Sequence, residues 1–105
     1  MIQIILEKDI EYTYGDTFTL RIYPKVEGLF ENGMQLRFVI AKTEESEYII
    51  DKMIGINEDL EFILTLNDNE KAKLPKGDYI YKLSTYKNNT IVTEKSGYFK
   101  VKWGA

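Results

Sequence analysis

Hydrophobic and polar residues alternate with a period of two along almost the whole chain. Ile2, Ile4 and Leu6 fall on one face of a first strand. Phe18, Leu20 and Ile22 alternate with Thr17, Thr19, Arg21 and Tyr23, and Met34, Leu36, Phe38 and Ile40 with Gln35, Arg37, Val39 and Ala41. Residues 48–54 form a mixed apolar run. Leu60, Phe62, Leu64 and Leu66 alternate with Glu61, Ile63 and Thr65, and Tyr79, Tyr81 and Leu83 with Ile80, Lys82 and Ser84. Residues 91–94 and 98–103 complete the series, with a break expected at Ser96-Gly97. Such alternation marks half-buried strands with one face toward a core and one toward water. The chain is therefore expected to hold seven strands, or eight if the last is counted as two.

The punctuation agrees. Tyr14-Gly15-Asp16, Glu31-Asn32-Gly33, the stretch 55–59 and Lys87-Asn88-Asn89-Thr90 supply turn residues between the runs. Asn-Gly is a turn signal because both residues tolerate positive φ. One segment departs from period two. Residues 67–74 read as a short helical turn, capped by Asn67 or Asp68, with Glu70 or Lys71 in the next turn and Pro75 preventing continuation. Both flanking strands are strongly apolar, so this turn is expected to carry the chain from one sheet to another. No repeat, linker or low-complexity stretch divides residues 1–105, which read as a single domain. Leu74-Pro75-Lys76-Gly77-Asp78-Tyr79-Ile80-Tyr81 resembles the tyrosine corner of immunoglobulin-like sandwiches, in which a buried Tyr ties a strand to the loop before it. Leu74, Gly77, Tyr79 and Tyr81 are thus expected to be structural. The fold expected is an all-β, immunoglobulin-like antiparallel sandwich.

Composition narrows the chemistry. Among 105 residues there is no Cys and no His. That excludes a disulfide framework, a thiol nucleophile, an imidazole base and a Cys/His zinc site. With 14 Lys+Arg against 17 Asp+Glu the net charge is −3, which argues against a nucleic-acid partner. No catalytic residue, cofactor or metal site is expected. The start lacks the basic leader and long apolar stretch of a signal peptide, and no run approaches a membrane span, so the chain is expected to be made in the cytoplasm.

Three acidic groups stand out: Glu44, Glu45 and Glu47; Asn57, Glu58 and Asp59; Asp68 and Glu70. A calcium site needs six to eight converging oxygens, and no D-x-[DN]-x-[DN]-G loop is present, so solvated loops and helix capping are the expected roles. Lys100 and Lys102 alternate on the last strand beside Tyr98 and Trp103, the pattern of an edge protected by outward lysines. Ile5, Val39, Ile49, Met53, Ile63, Tyr23 and Tyr86 are apolar or aromatic on faces expected to be polar. Gathered into one patch they would mark a protein–protein surface. Val39, Ile49, Met53, Ile63 and Trp103 are the candidate interface residues.

The sequence Gly15-Asp16-Thr17-Phe18-Thr19-Leu20, followed by Leu36-Arg37-Phe38-Val39-Ile40, Leu64-Thr65-Leu66, the corner at 74–81, Val92-Thr93 and Gly97-Tyr98-Phe99-Lys100-Val101, resembles the small immunoglobulin-like domains of tailed-phage virion proteins. It is most similar to the N-terminal domain of baseplate upper proteins. The resemblance spans residues 15–101. It implies a non-catalytic structural or assembly role in a tail, baseplate or capsid, reached from the cytoplasm. The partners it implies are other virion proteins or further copies of the chain. Larger members of that family continue into a shaft or receptor-binding region, whereas this sequence ends at Ala105. Two alternatives remain. One is a carbohydrate-binding module using Trp103, Tyr98, Tyr86 and Tyr23 as stacking platforms. The other is a small acidic phage inhibitor that occupies a basic groove of a host protein.

Overall fold

A computed structural model describes residues 2–4, 9–14, 17–22, 28 and 30–102. Eight strands and one short helix follow in order: β1 (Ile2–Ile4), β2 (Ile10–Thr13), β3 (Phe18–Ile22), β4 (Gln35–Ala41), β5 (Tyr48–Gly55), β6 (Phe62–Leu66), α1 (Asp68–Ala72), β7 (Gly77–Lys87) and β8 (Thr90–Lys102). They form two sheets, ordered β1-β3-β6 and β2-β8-β7-β4-β5. The run β8-β7-β4-β5 reproduces the strand order of the larger sheet of an immunoglobulin variable domain. The molecule is an all-β, immunoglobulin-like sandwich. β1 pairs parallel with β3 and β2 parallel with β8, while the other pairs are antiparallel.

The inward residues of the alternating runs build one core. Phe18, Leu20 and Ile22 of β3 and Phe62, Leu64 and Leu66 of β6 face Leu36, Phe38 and Ile40 of β4, Tyr81 and Leu83 of β7, and Phe99 of β8. The aromatic rings interlock: Tyr12 meets Phe18 edge-on at 5.3 Å, Phe30 meets Phe62 at 5.1 Å, and Phe38 lies 5.8 Å from Tyr81. Thr85 points inward on β7 and is fully buried, and its hydroxyl finds no partner among the described residues. A buried hydroxyl without a hydrogen bond opposes folding, whereas a methyl group of the same shape does not. Thr85→Val should therefore raise the unfolding free energy by about 1 kcal/mol in urea denaturation.

α1 carries the chain from β6 in the smaller sheet to β7 in the larger one. Asn67 caps it by accepting from the Glu70 amide (2.8 Å), and the Glu70 carboxylate accepts from the Asn67 amide in return (2.9 Å). Lys52 joins this box from β5. It sits inward on an edge strand and donates to the Thr65 carbonyl (2.7 Å) and to Glu70 (3.0 Å). An inward charge on an edge strand discourages pairing with another chain; here it also latches the two sheets together. Burial acts to raise the Glu70 pKa, but the Asn67 amide and the Lys52 ammonium outweigh it and hold it below the usual carboxylate value. The stability this supplies is complete above the unfolded-state pKa and is lost as pH falls through the lowered folded value. In thermal unfolding, Glu70→Gln should be clearly less stable than wild type at about pH 7, and the gap should narrow as pH falls below the usual carboxylate range.

Leu74 is fully buried, and Tyr79 is buried with its hydroxyl donating to the Pro75 carbonyl at 2.6 Å. Burial raises the Tyr79 pKa, and the Lys42 ammonium lies 4.7 Å above its ring centre.

Two expectations need correction. The last strand is not broken at Ser96-Gly97: β8 runs without interruption from Thr90 to Lys102. Gly97 is opposite Tyr81 in the ladder, and the Tyr81 ring occupies the space a side chain there would take. β2 was not anticipated, because only Ile10 and Tyr12 of its four residues face the core. The β7–β8 turn contains Asn88 and Asn89 at φ of 51° and 65°, both left-handed, as a tight hairpin requires.

Candidate functional site: the outer face of the five-stranded sheet

The pairing register lines up the outward residues of β5, β4, β7 and β8 in lateral rows. Tyr48, Ala41, Ile80 and Tyr98 form one row. Asp51, Val39, Lys82 and Ser96 form the next, followed by Met53, Arg37, Ser84 and Glu94. The first row places an aromatic ring at each side of the sheet with small and aliphatic residues between. Tyr98, Met53 and Tyr48 stand exposed on the face, at 58%, 54% and 47% of their full accessibility.

The middle of the face is lower than its sides. Val39 and Ala41 point outward yet are only 5% and 4% exposed, because Tyr48, Glu44, Ile80 and Lys82 crowd around them. Beside them lies an open depression of about 210 Å³ bordered by Glu44, Ile80, Lys82, Ser96 and Tyr98. Arg37 braces the Tyr48 side. Its guanidinium is bidentate to Asp51 (2.9 and 2.6 Å) and lies 5.4 Å from the Tyr48 ring centre. The Asp51 pKa falls below its ordinary value because of that pair, and the Arg37 pKa rises. At the β7–β8 side the face continues into a hollow of about 330 Å³ lined by Lys76, Asp78, Lys100 and Lys102. The chemistry offered is a shallow aromatic-walled surface with a charged rim, suited to a flat partner.

The candidate interface residues do not gather in one place. Met53 is on this face and exposed. Val39 is on it too, but forms its floor. Ile49 is the extra residue of a bulge between β4 and β5, where Ile40 pairs with Ile50 and Ala41 with Tyr48, and it packs against the core. Ile63 is exposed on the outer side of the three-stranded sheet, paired with Arg21 of β3. Trp103, Tyr23 and Ile5 lie outside the described residues, and Tyr86 is half-buried. Tyr48 and Ile80 were not singled out from sequence. Finding them requires the cross-strand register, including the bulge at Ile49.

The acidic groups resolve into separate roles. Glu70 belongs to the helix cap. The Asn57 side chain accepts from the amides of Asp59 (3.0 Å) and Glu61 (2.9 Å) and so closes its own loop. Glu44, Glu45 and Glu47 stand exposed in the β4–β5 loop. Among the described residues no group of three acids is placed to hold a metal ion, and no helix is long and apolar enough to cross a membrane.

No protein-family model matches the sequence, and no curated protein matches it. Solved structures share its architecture. The chain is similar to the N-terminal domain of phage TP901-1 ORF48, with 12% identity, a TM-score of 0.52, and coverage of 90% of this chain and 85% of that one. It also aligns with the extracellular domain of the voltage-gated sodium channel β4 subunit, a parallel homodimer with a role in cell–cell adhesion. There the identity is 13%, the TM-score 0.48, and coverage 100% of this chain and 98% of that one. A further chain from studies of cell-adhesive sodium-channel β subunits aligns at 12% identity and a TM-score of 0.42, over 93% of this chain and 92% of the other. At these identities the likeness is one of fold.

Proposed function

We propose that this chain is a non-enzymatic assembly module of a tailed-phage particle, docking to other virion proteins through the outer face of its five-stranded sheet. The observation that carries the reading is the row structure of that face, with Tyr48, Met53 and Tyr98 exposed around a low apolar floor. Exposed aromatic and Met side chains around a packed apolar centre are what protein interfaces concentrate. The virion setting is supported by the sequence resemblance to baseplate upper proteins and by the fold shared with the N-terminal domain of a phage protein.

Capture experiments with proteins of the particle whose genome encodes this chain test the proposal. The immobilised wild type should retain a tail, baseplate or capsid protein. Met53→Asp combined with Tyr98→Asp should weaken retention by roughly 30-fold or more, the effect of losing central contacts. Ile63→Asp, on the opposite sheet, should leave retention unchanged. All three changes are at exposed positions and should leave stability within about 0.5 kcal/mol of wild type. Retention of no virion protein, or its loss only in Ile63→Asp, would overturn the proposal. So would specific binding to glycans, or to one stoichiometric host protein, in place of virion components.

A further inference from the structure

β6 is an edge of the three-stranded sheet, with β3 on its other side. In an antiparallel ladder the N–H and C=O of one residue point the same way, and successive residues alternate between the neighbouring strand and the edge. The bonds made from outside β3 fix which residues of β6 face outward. The Glu61 carbonyl accepts from the Asn57 amide (2.9 Å), and the Glu61 amide donates to the Asn57 side chain (2.9 Å). The Thr65 carbonyl accepts from Lys52 of β5 (2.7 Å). Glu61 and Thr65 therefore point off the free edge, and so does Ile63 midway between them. The Ile63 N–H and C=O and the Thr65 N–H have no partner among the described residues.

The edge is closed at both ends and open in the middle. Asn57 stands where a strand would pair with Glu61, and Lys52 takes the Thr65 carbonyl while staying paired to Glu70. Nothing within Phe62–Leu66 guards the rest: the strand holds no charge and no proline, and its register with β3 has no bulge. Ile63 and Thr65 are both exposed. Ile54 of β5, with Ile56 and Leu60 of the loop leading to β6, is only partly buried against the core. This side of the sandwich is thus apolar around a row of free main-chain groups. Such groups match one ligand chemistry, the backbone of an extended peptide. We propose that the β6 edge takes up, by strand addition, an extended uncharged segment of a further protein, with a β-branched or aromatic residue set against Ile63. A second copy of β6 fits less well. The antiparallel register that keeps the faces matched sets Ile63 of one copy opposite Thr65 of the other, and both Thr65 carbonyls are already held by Lys52.

Amide hydrogen exchange of the full chain, read residue by residue by NMR, tests this with the peptide Lys-Thr-Val-Thr-Val-Thr-Lys as probe. In the free chain the Ile63 and Thr65 amides should exchange fast and the Leu64 amide slowly, since only the last is in the ladder. Millimolar peptide should slow Ile63 and Thr65 severalfold. The same peptide with its central amides N-methylated should have no effect. Lys52→Met frees the Thr65 carbonyl and should tighten peptide binding by roughly three- to tenfold, the worth of one added hydrogen bond. Ile63→Pro removes the central donor at a position where an edge strand tolerates proline, and should weaken binding by roughly fivefold or more. Should that variant fail to fold, the N-methylated peptide makes the same test on the intact chain. Slow exchange at Ile63 in the free chain, no protection by the peptide, or protection that survives N-methylation would overturn the inference. The outer face of the five-stranded sheet takes no part in this binding, so its failure leaves the docking reading standing.

Discussion

Gly97→Val should lower the unfolding free energy by about 1–3 kcal/mol, with Gly97→Ala toward the lower end. A Cβ at position 97 would come within 2.9 Å of the Tyr81 ring, 3.2 Å of its hydroxyl and 3.3 Å of the Asp9 carboxylate. The ring cannot easily yield, because it is buried and packed beside Phe38. The Asp9 carboxylate is also engaged, accepting from the Tyr98 amide at 3.0 Å where β2 begins to pair with β8. A side chain at 97 would thus press on the β7–β8 ladder and on the attachment of β2 together. In a domain of this size each kcal/mol shifts the thermal midpoint by roughly 4–8 °C, so differential scanning calorimetry resolves the series. A midpoint unchanged in Gly97→Val would refute the close packing of Tyr81 on Gly97.

Tyr79→Ala should cost more, about 3–5 kcal/mol, as expected for emptying the site of a large buried ring. Tyr79→Phe isolates the hydroxyl. It keeps the ring and removes only the donor to the Pro75 carbonyl, so about 1 kcal/mol should be lost. The ring anchors β7 in the core while the hydroxyl fixes the loop that arrives from α1, so the two variants separate packing from the hydrogen bond. Equal losses for Phe and Ala, measured by urea denaturation, would contradict that division.

Much of this fold was legible in the alternation itself. Most of the strands that carry the core and the passage of the helix between sheets follow from local signals, while the cap, open between Asn67 and Asp68 in the sequence, is decided by the side-chain geometry at Asn67. What local signals miss is set by contacts between distant parts of the chain. β2 has two core-facing residues and pairs with a strand nearly the whole sequence away, so period two within it is too short to register. Gly97 reads as a breaker because nothing local announces the Tyr81 ring opposite it. The outer face was only partly legible. Met53 stood out as an apolar residue at a polar position. The one-residue bulge at Ile49 turns that side chain to the core and brings Tyr48 level with Ala41, and no neighbouring residue signals such a shift. Ile63 follows the alternation faithfully, but whether it shares a face with Met53 depends on which sheet its strand joins.

That distinction between the two outer faces is the central claim, and hydroxyl-radical footprinting tests it most directly. Tyr and Met side chains react readily, and labelling follows their accessibility. When the protein is assembled with its partner, Tyr48, Met53 and Tyr98 should become protected together, relative to the free chain, while Ile63 keeps its reactivity. Protection of Ile63 with Tyr48, Met53 and Tyr98 left unchanged would place the docking surface on the three-stranded sheet and contradict the account.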